Sequence, residues 1–163
     1  EIKNFGIKNA ETVSYIGMNA KMNEFQAAMG ICNLRYLEEE IRKRKRVALL
    51  YRNYLEHIKG IYLCPVKENI DYNYAYFPII VDSEVFGVSR DTIHNVLAQN
   101  NIETRKYFYP LTSAFECYKK YYDTKLTPNA KHISDNVLTL PIYAELEPDE
   151  VKYICKLILS LKN

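Results

Sequence analysis

Between residues 22 and 58 apolar side chains return every three or four positions. They run Phe25, Ala28, Met29, Cys32, then Leu34, Leu37, Ile41, then Ala48, Tyr51, Leu55 and Ile58. That spacing puts them on one stripe of an α-helix. A single helix of more than thirty residues is unusual in a globular domain, so a break is expected near residues 30–33, where Gly30 and Asn33 sit. The result is a short helix followed by a long one, with Gly60 as the stop signal.

Beyond Gly60 the signals alternate. Residues 61–66, 74–81, 102–108 and 137–140 read as strands, and Pro78 suggests an edge position or a bulge for the second. Ser89 is placed to cap a helix through Ile93, Val96 and Leu97 that ends near Asn100. Thr127-Pro128 sets a cap residue before a first-turn proline. Pro148 opens a helix whose buried side carries Val151, Ile154, Cys155, Ile158 and Leu161. The first twenty residues read as loop. Strands and helices in this order predict an α+β fold, with a small, mainly antiparallel sheet covered by helices.

Length and composition set the limits. A chain of 163 residues predicts one domain with at most an appendage. At its mass it should expose roughly 8,400 Å² when folded. No apolar run approaches the ~18 residues of a membrane span. The opening residues lead into no leader-like apolar segment, and the four cysteines form no C-x-x-C pair, so a reducing cytoplasm is expected. Scattered histidines and cysteines give no metal site. The five glycines make neither a G-x-G-x-x-G nor a P-loop.

Charge offers one alternative partner. The net charge is +2, and five cations stand together at Arg42, Lys43, Arg44, Lys45 and Arg46. Glu38 and Glu39 precede Arg42 and Lys43 by one helical turn, which marks a solvated helix face in preference to a nucleic-acid patch. Fifteen tyrosines, with clusters at Tyr72/Tyr74/Tyr76 and Tyr118/Tyr121/Tyr122, read as half-buried core or interface side chains. His94 and His132 fall in expected helices, with nothing tying either to a nucleophile.

One segment says more. Gly17-Met18-Asn19-Ala20-Lys21-Met22-Asn23-Glu24-Phe25-Gln26-Ala27-Ala28-Met29-Gly30 closely resembles the G-x-N-x-(R/K)-M-x-E-x-x-A-A-x-G signature of the DegT/StrS-type nucleotide-sugar aminotransferases. These are pyridoxal 5'-phosphate (PLP) enzymes of fold type I. Lys3-Asn4-Phe5-Gly6 is similar to the (R/K)-N-F-G stretch that precedes that signature. Arg105-Lys106-Tyr107-Phe108-Tyr109-Pro110-Leu111 is similar to the strand ending in Y-P-L. Ser134-Asp135 and Leu140-Pro141-Ile142-Tyr143 resemble the S-D and L-P-x-Y elements. The matches stand in family order.

The resemblance implies a fold, a reaction and a partner. Residues 1–163 would be the small C-terminal domain of a fold-type-I enzyme, with 1–30 a loop and short helix joining the large cofactor domain and the dimer interface. The activity implied is transfer of an amino group from glutamate to a nucleotide-linked keto-sugar, for cell-surface polysaccharide or deoxyaminosugar synthesis. In the family the Schiff-base lysine and the aspartate under the pyridinium nitrogen lie upstream of N-F-G. No catalytic residue is therefore assigned here, PLP would be bound mainly by the N-terminal domain, and this stretch alone is expected to be inactive. Asn19 would donate its amide across a homodimer interface to the cofactor phosphate; the other reading makes it a helix cap. Lys21 stands where the family places a cation near the donor carboxylate, the other reading being a surface lysine; Glu24 would order the loop; and Arg105 and Tyr107 would face the sugar nucleotide, the other reading being an edge strand with a snorkelling arginine. A sugar dehydratase of the same fold, with histidine for the upstream lysine, and a non-catalytic regulatory or dimerisation module are the alternatives.

Overall fold

The computed structural model describes residues 1–162. The chain divides into two compact units, residues 1–39 and 40–163.

The first unit opens with a small hairpin where the sequence suggested only loop: β1 (Ile7–Asn9) pairs antiparallel with β2 (Thr12–Val13). Around it the chain folds back on itself. Phe5 N donates to Met18 O at 3.1 Å and Ala20 N to Lys3 O at 2.9 Å. This close return explains two glycines. A Cβ on Gly6, whose φ is +76°, would lie 1.7 Å from Tyr15 O, and one on Gly17 would lie 2.3 Å from Gly6 N. Helix α1 (Glu24–Leu34) follows, opened by a capping box between Asn23 and Gln26. It buries none of its side chains; Phe25 is 88% exposed and Met29 62%.

The expected helix break lies a few residues later than the glycine suggested. Gly30 sits inside α1 with open space around it, a tolerable cost of about 1 kcal/mol against alanine. The chain turns instead at Arg35 and Tyr36, whose amides donate back to Cys32 O and Asn33 O. Helix α2 (Leu37–Leu55) then runs on and buries Val47, Ala48, Tyr51 and Leu55.

The second unit is built on a three-stranded antiparallel sheet of β3 (Ile61–Leu63), β4 (Phe77–Val81) and β5 (Val137–Leu140), in that order. The expected strands at 61–66 and 74–81 are thus each shortened at one end. Around the sheet lie α3 (Ser83–Phe86), α4 (Arg90–Gln99), α5 (Pro128–Asn136) and α6 (Pro148–Leu159). Phe77, Ile79 and Val81 alternate on the buried face of β4. They join Tyr51 and Leu55, Ile93 and Leu97, and Val151, Ile154 and Ile158 in one core. Ser89 caps α4 through Thr92 N as expected, and Pro148 opens α6.

Two strand expectations need correction. Pro78 lies in the central strand, without a bulge. Its partner on β5 is Thr139, whose own amide and carbonyl bond Arg105 on the far side. Pro78 therefore directs its amide position toward β3, and β3 has already ended at Leu63, opposite Ile79. No ladder bond is lost. The second correction concerns 102–108, of which only Arg105 is paired, in a bridge to Thr139. Beyond it Lys106 turns to Asp91, and Tyr109 N closes a turn onto Lys106 O at 2.6 Å.

The folded chain exposes 12082 Å², about 40% more than a compact protein of its mass is expected to show. Large apolar side chains stand exposed on α1, Phe25 and Leu34 among them, and at Phe108, Tyr121 and Tyr122.

Candidate functional site

In the first unit, Asn19 and Lys21 converge on Asn4. Asn19 forms a backbone bridge with Asn4, and Lys21 Nζ donates to Asn4 Oδ1 at 3.0 Å. The ammonium also lies 5.2 Å from the Phe5 ring centroid. The two motifs that carry the sequence resemblance, Lys3-Asn4-Phe5-Gly6 and Gly17-Met18-Asn19, are therefore one structure. Asn19 is not the helix cap; Asn23 is, accepting from Gln26 N at 2.9 Å. The capping box and not a Glu24 hydrogen bond secures the helix start, while Glu24 places its charge in the first turn, where the helix dipole favours it. Among the described residues the exposed Asn19 amide has no hydrogen-bond partner.

The second unit holds Arg105 and Tyr107, and their side chains go separate ways. Arg105, 59% exposed, meets Glu103 Oε1 at 2.6 Å and lines a cavity of about 760 Å³ with Tyr143, Tyr153, Asp149 and Glu150. Burial, aided by the Glu150 charge, raises the Tyr143 hydroxyl above its ordinary range. Tyr107 does not line that cavity. It takes the edge of Tyr76 at 5.5 Å and stacks on Phe108 at 5.0 Å.

A polar cluster that the sequence did not announce lies behind Tyr107. Arg90, almost fully buried, donates from Nη1 to Val137 O at 2.9 Å and Ser134 O at 3.3 Å, at the C-terminal end of α5. Its Nε is 2.9 Å from Asp91 Oδ1, and its guanidinium sits 4.7 Å from the Tyr109 ring centroid. Asp91 Oδ1 also meets Lys106 Nζ at 2.5 Å. That Lys106 hydrogen bond, supported by the Arg90 charge and opposed by partial burial, keeps Asp91 below the usual carboxylate range. Ser134 Oγ donates to Phe108 O at 2.8 Å. His94 is also tied in: its Nδ1 lies 2.6 Å from Thr104 Oγ1, and burial, then the Lys106 charge, lowers its pKa. The one sequence hint was the Ser134-Asp135 pair, whose serine reaches the aromatic turn.

The basic run lies on α2. Lys43 meets Glu40 at 3.7 Å, Arg44 has its Nε buried, and Arg42, Lys45 and Arg46 face solvent. Among the described residues no helix is long and apolar enough to cross a membrane.

The sequence model of the DegT/DnrJ/EryC1/StrS aminotransferase family matches residues 1–159. The chain belongs to this family. Among curated aminotransferases, dTDP-4-amino-4,6-dideoxy-D-glucose transaminase of Escherichia coli is 43% identical over 161 residues, covering 98% of this chain and 43% of the relative. GDP-perosamine synthase of Vibrio cholerae is 29% identical, over 91% of this chain and 40% of the relative. The chain thus spans less than half the length of these relatives. Of solved structures, DesI crystallised in the presence of its TDP-sugar product superposes with a TM-score of 0.85 at 27% identity, over 98% of this chain and 40% of that one. The α+β reading and the family resemblance are both borne out.

Proposed function

We propose that this chain is the C-terminal part of a homodimeric, PLP-dependent enzyme that transfers an amino group from glutamate to a keto-sugar carried on a nucleoside diphosphate. The observation that carries this reading is the 43% identity to a dTDP-sugar transaminase along nearly the whole chain. The two relatives described are named for amino sugars on dTDP and GDP.

The residues present suit the cofactor. PLP carries a phosphate dianion, which requires hydrogen-bond donors. The Asn19 amide has two N–H groups and no competing partner among the described residues. Lys21 uses one ammonium donor on Asn4 Oδ1 and keeps two for an anion. When bound, PLP supplies the electron sink for moving the amino group. In this reading Asn19 holds the phosphate seated on the partner subunit. Lys21 attracts the glutamate carboxylate, as a point charge without the fork of an arginine. Arg105 and Tyr107 face the nucleotide sugar. The exposed apolar face of α1 supports a covering surface in the larger protein, since contiguous apolar area of this kind marks an interface.

The test uses the complete gene product, with PLP, glutamate and a dTDP-linked 4-keto-6-deoxyhexose. Formation of 2-oxoglutarate matched by amino-sugar product is expected. Absence of both with PLP-loaded protein, across dTDP-, UDP- and GDP-linked keto-sugars, refutes the reading. Asn19→Ala should weaken PLP retention by on the order of 1–3 kcal/mol, the cost of a lost hydrogen bond to a charged group. Unchanged retention removes Asn19 from the phosphate site.

A further inference from the structure

Residues 106–109 form a tight turn that carries exposed aromatic side chains: Tyr107 is 38% exposed, Phe108 73% and Tyr109 50%. A turn with so much surface and so little packing would ordinarily sample many conformations. Beside the edge contact of Tyr107 on Tyr76, three polar or cationic tethers hold it. At its start Lys106 Nζ meets Asp91; in its middle Phe108 O accepts from Ser134 Oγ; at its end the Tyr109 ring lies over the Arg90 guanidinium. All three tethers lead back to Arg90, which pairs with Asp91 and donates to the carbonyl of Ser134.

We propose that Arg90 is a positioning residue, which acts through Asp91, Ser134 and Tyr109 to hold the turn in the shape that presents Tyr107 to the nucleotide sugar. The proposal rests on the functional reading above for what Tyr107 meets, and on geometry alone for the clamp.

The chemistry of the side chain favours this role. Burying a guanidinium is costly, and an apolar residue of similar volume often leaves a fold equally stable, so a buried arginine is poor evidence of a purely structural need. What arginine offers is several directions at once from one rigid plane. It donates from Nη1 to two carbonyls, sets its charge 2.9 Å from the Asp91 carboxylate, and lays its face on a ring. The carbonyls it takes, Ser134 O and Val137 O, close the end of α5, where a cation also complements the helix dipole. Ser134 is thereby fixed at its backbone while its hydroxyl holds Phe108. Lysine has neither the fork nor the plane to do this.

The experiment compares Arg90→Met, Arg90→Lys and Asp91→Asn with the wild type in the complete gene product, and has two arms. The first is amide hydrogen exchange. Exchange of the Tyr109 amide, which closes the turn onto Lys106 O, should quicken about tenfold while the β4 and β5 amides keep wild-type rates, the pattern of local opening. The second is steady-state kinetics. KM for the nucleotide sugar should rise about tenfold in Arg90→Met with kcat within about twofold and KM for glutamate unchanged, the signature of lost substrate binding. Arg90→Lys should recover part of that loss, and Asp91→Asn, an exposed change that leaves the core intact, should reproduce the direction. Exchange that rises uniformly with a fall in Tm, while KM stays at the wild-type value in all three variants, overturns the proposal. Should the wild type aminate no nucleotide sugar, the functional reading fails, and the exchange arm alone then upholds or overturns the clamp.

Discussion

Tyr51 offers the sharpest test of how the second unit is held together. It is fully buried on α2, stacks on Phe77 of β4 with ring centroids 4.9 Å apart, and donates its hydroxyl to Pro141 O at 3.0 Å. Tyr51→Phe keeps the ring and removes only the hydroxyl. An aromatic ring buries 150–250 Å², worth roughly 4–6 kcal/mol at 25 cal/mol per Å², and that contribution is common to both side chains. The change should therefore cost only the hydrogen bond, about 1 kcal/mol, with Pro141 half-buried and able to recruit water. Tyr51→Ala loses the ring as well and should cost about 3–5 kcal/mol. Urea titration with an unchanged m-value reads both. Alkaline pH adds an independent check. Burial raises the Tyr51 pKa above its ordinary value of 10, so the folded state resists ionisation that the unfolded chain allows. Its stabilising contribution is whole below pH 10 and is lost as pH climbs beyond it. Tyr51→Phe should flatten that loss in part, because Cys155 and Tyr143, both raised, act in the same direction. A phenylalanine variant as damaging as alanine, or an alkaline limb identical to wild type, would refute the reasoning.

Two further outcomes follow from burial and charge. Cys64 and Cys117 are exposed, whereas Cys155 is buried and its thiol is pushed up to about 12; a thiol reagent at neutral pH should label Cys64 and Cys117 quickly and Cys155 only on unfolding, and rapid labelling of Cys155 would contradict the packing of α6. His94 is lowered from its ordinary 6.5 by burial and the Lys106 charge, so the unfolded chain binds the proton first. The stabilising contribution is whole above pH 6.5 and is lost as pH falls through and below that value. His94→Gln should reduce the slope of Tm against pH in that window, and an unaltered slope would show that the ring is not shielded.

Local pattern made the helices legible. The stripe through Ala48, Tyr51 and Leu55, the Ser89 cap and the Pro148 start are all written within a few residues of where they act. Strand limits were harder, because they depend on partners far along the chain. Pro78 can occupy a central strand only because β3 stops at Leu63, and 102–108 pairs only at Arg105 because Lys106 is drawn to Asp91. The glycine at 30 misled for a related reason: a helix tolerates it where nothing presses on its surface. At the candidate site, Asn19 and Lys21 were legible through their motif, while Arg90 was not. Its bonds reach 44 and 47 residues along the chain, and no spacing rule spans that distance.

The short motifs scattered along this sequence acquire a common physical meaning once folded. Asn4 of the first motif bridges Asn19 of the second and accepts from Lys21. Ser134 of the S-D element holds Phe108 of the K-Y-F-Y-P-L element, and Pro141 of the L-P-I-Y element accepts from Tyr51. Each pairing satisfies polar groups in irregular backbone, where neither helix nor sheet provides partners. Such segments can bring side chains to a ligand in directions that a regular element does not allow, but they keep their shape only if something fixes them. A motif residue of this chain can therefore serve to hold another motif in place as readily as to touch substrate. Asn4 shows the consequence: replacing its side chain should release the Lys21 ammonium that it accepts, while the backbone bridge to Asn19 persists.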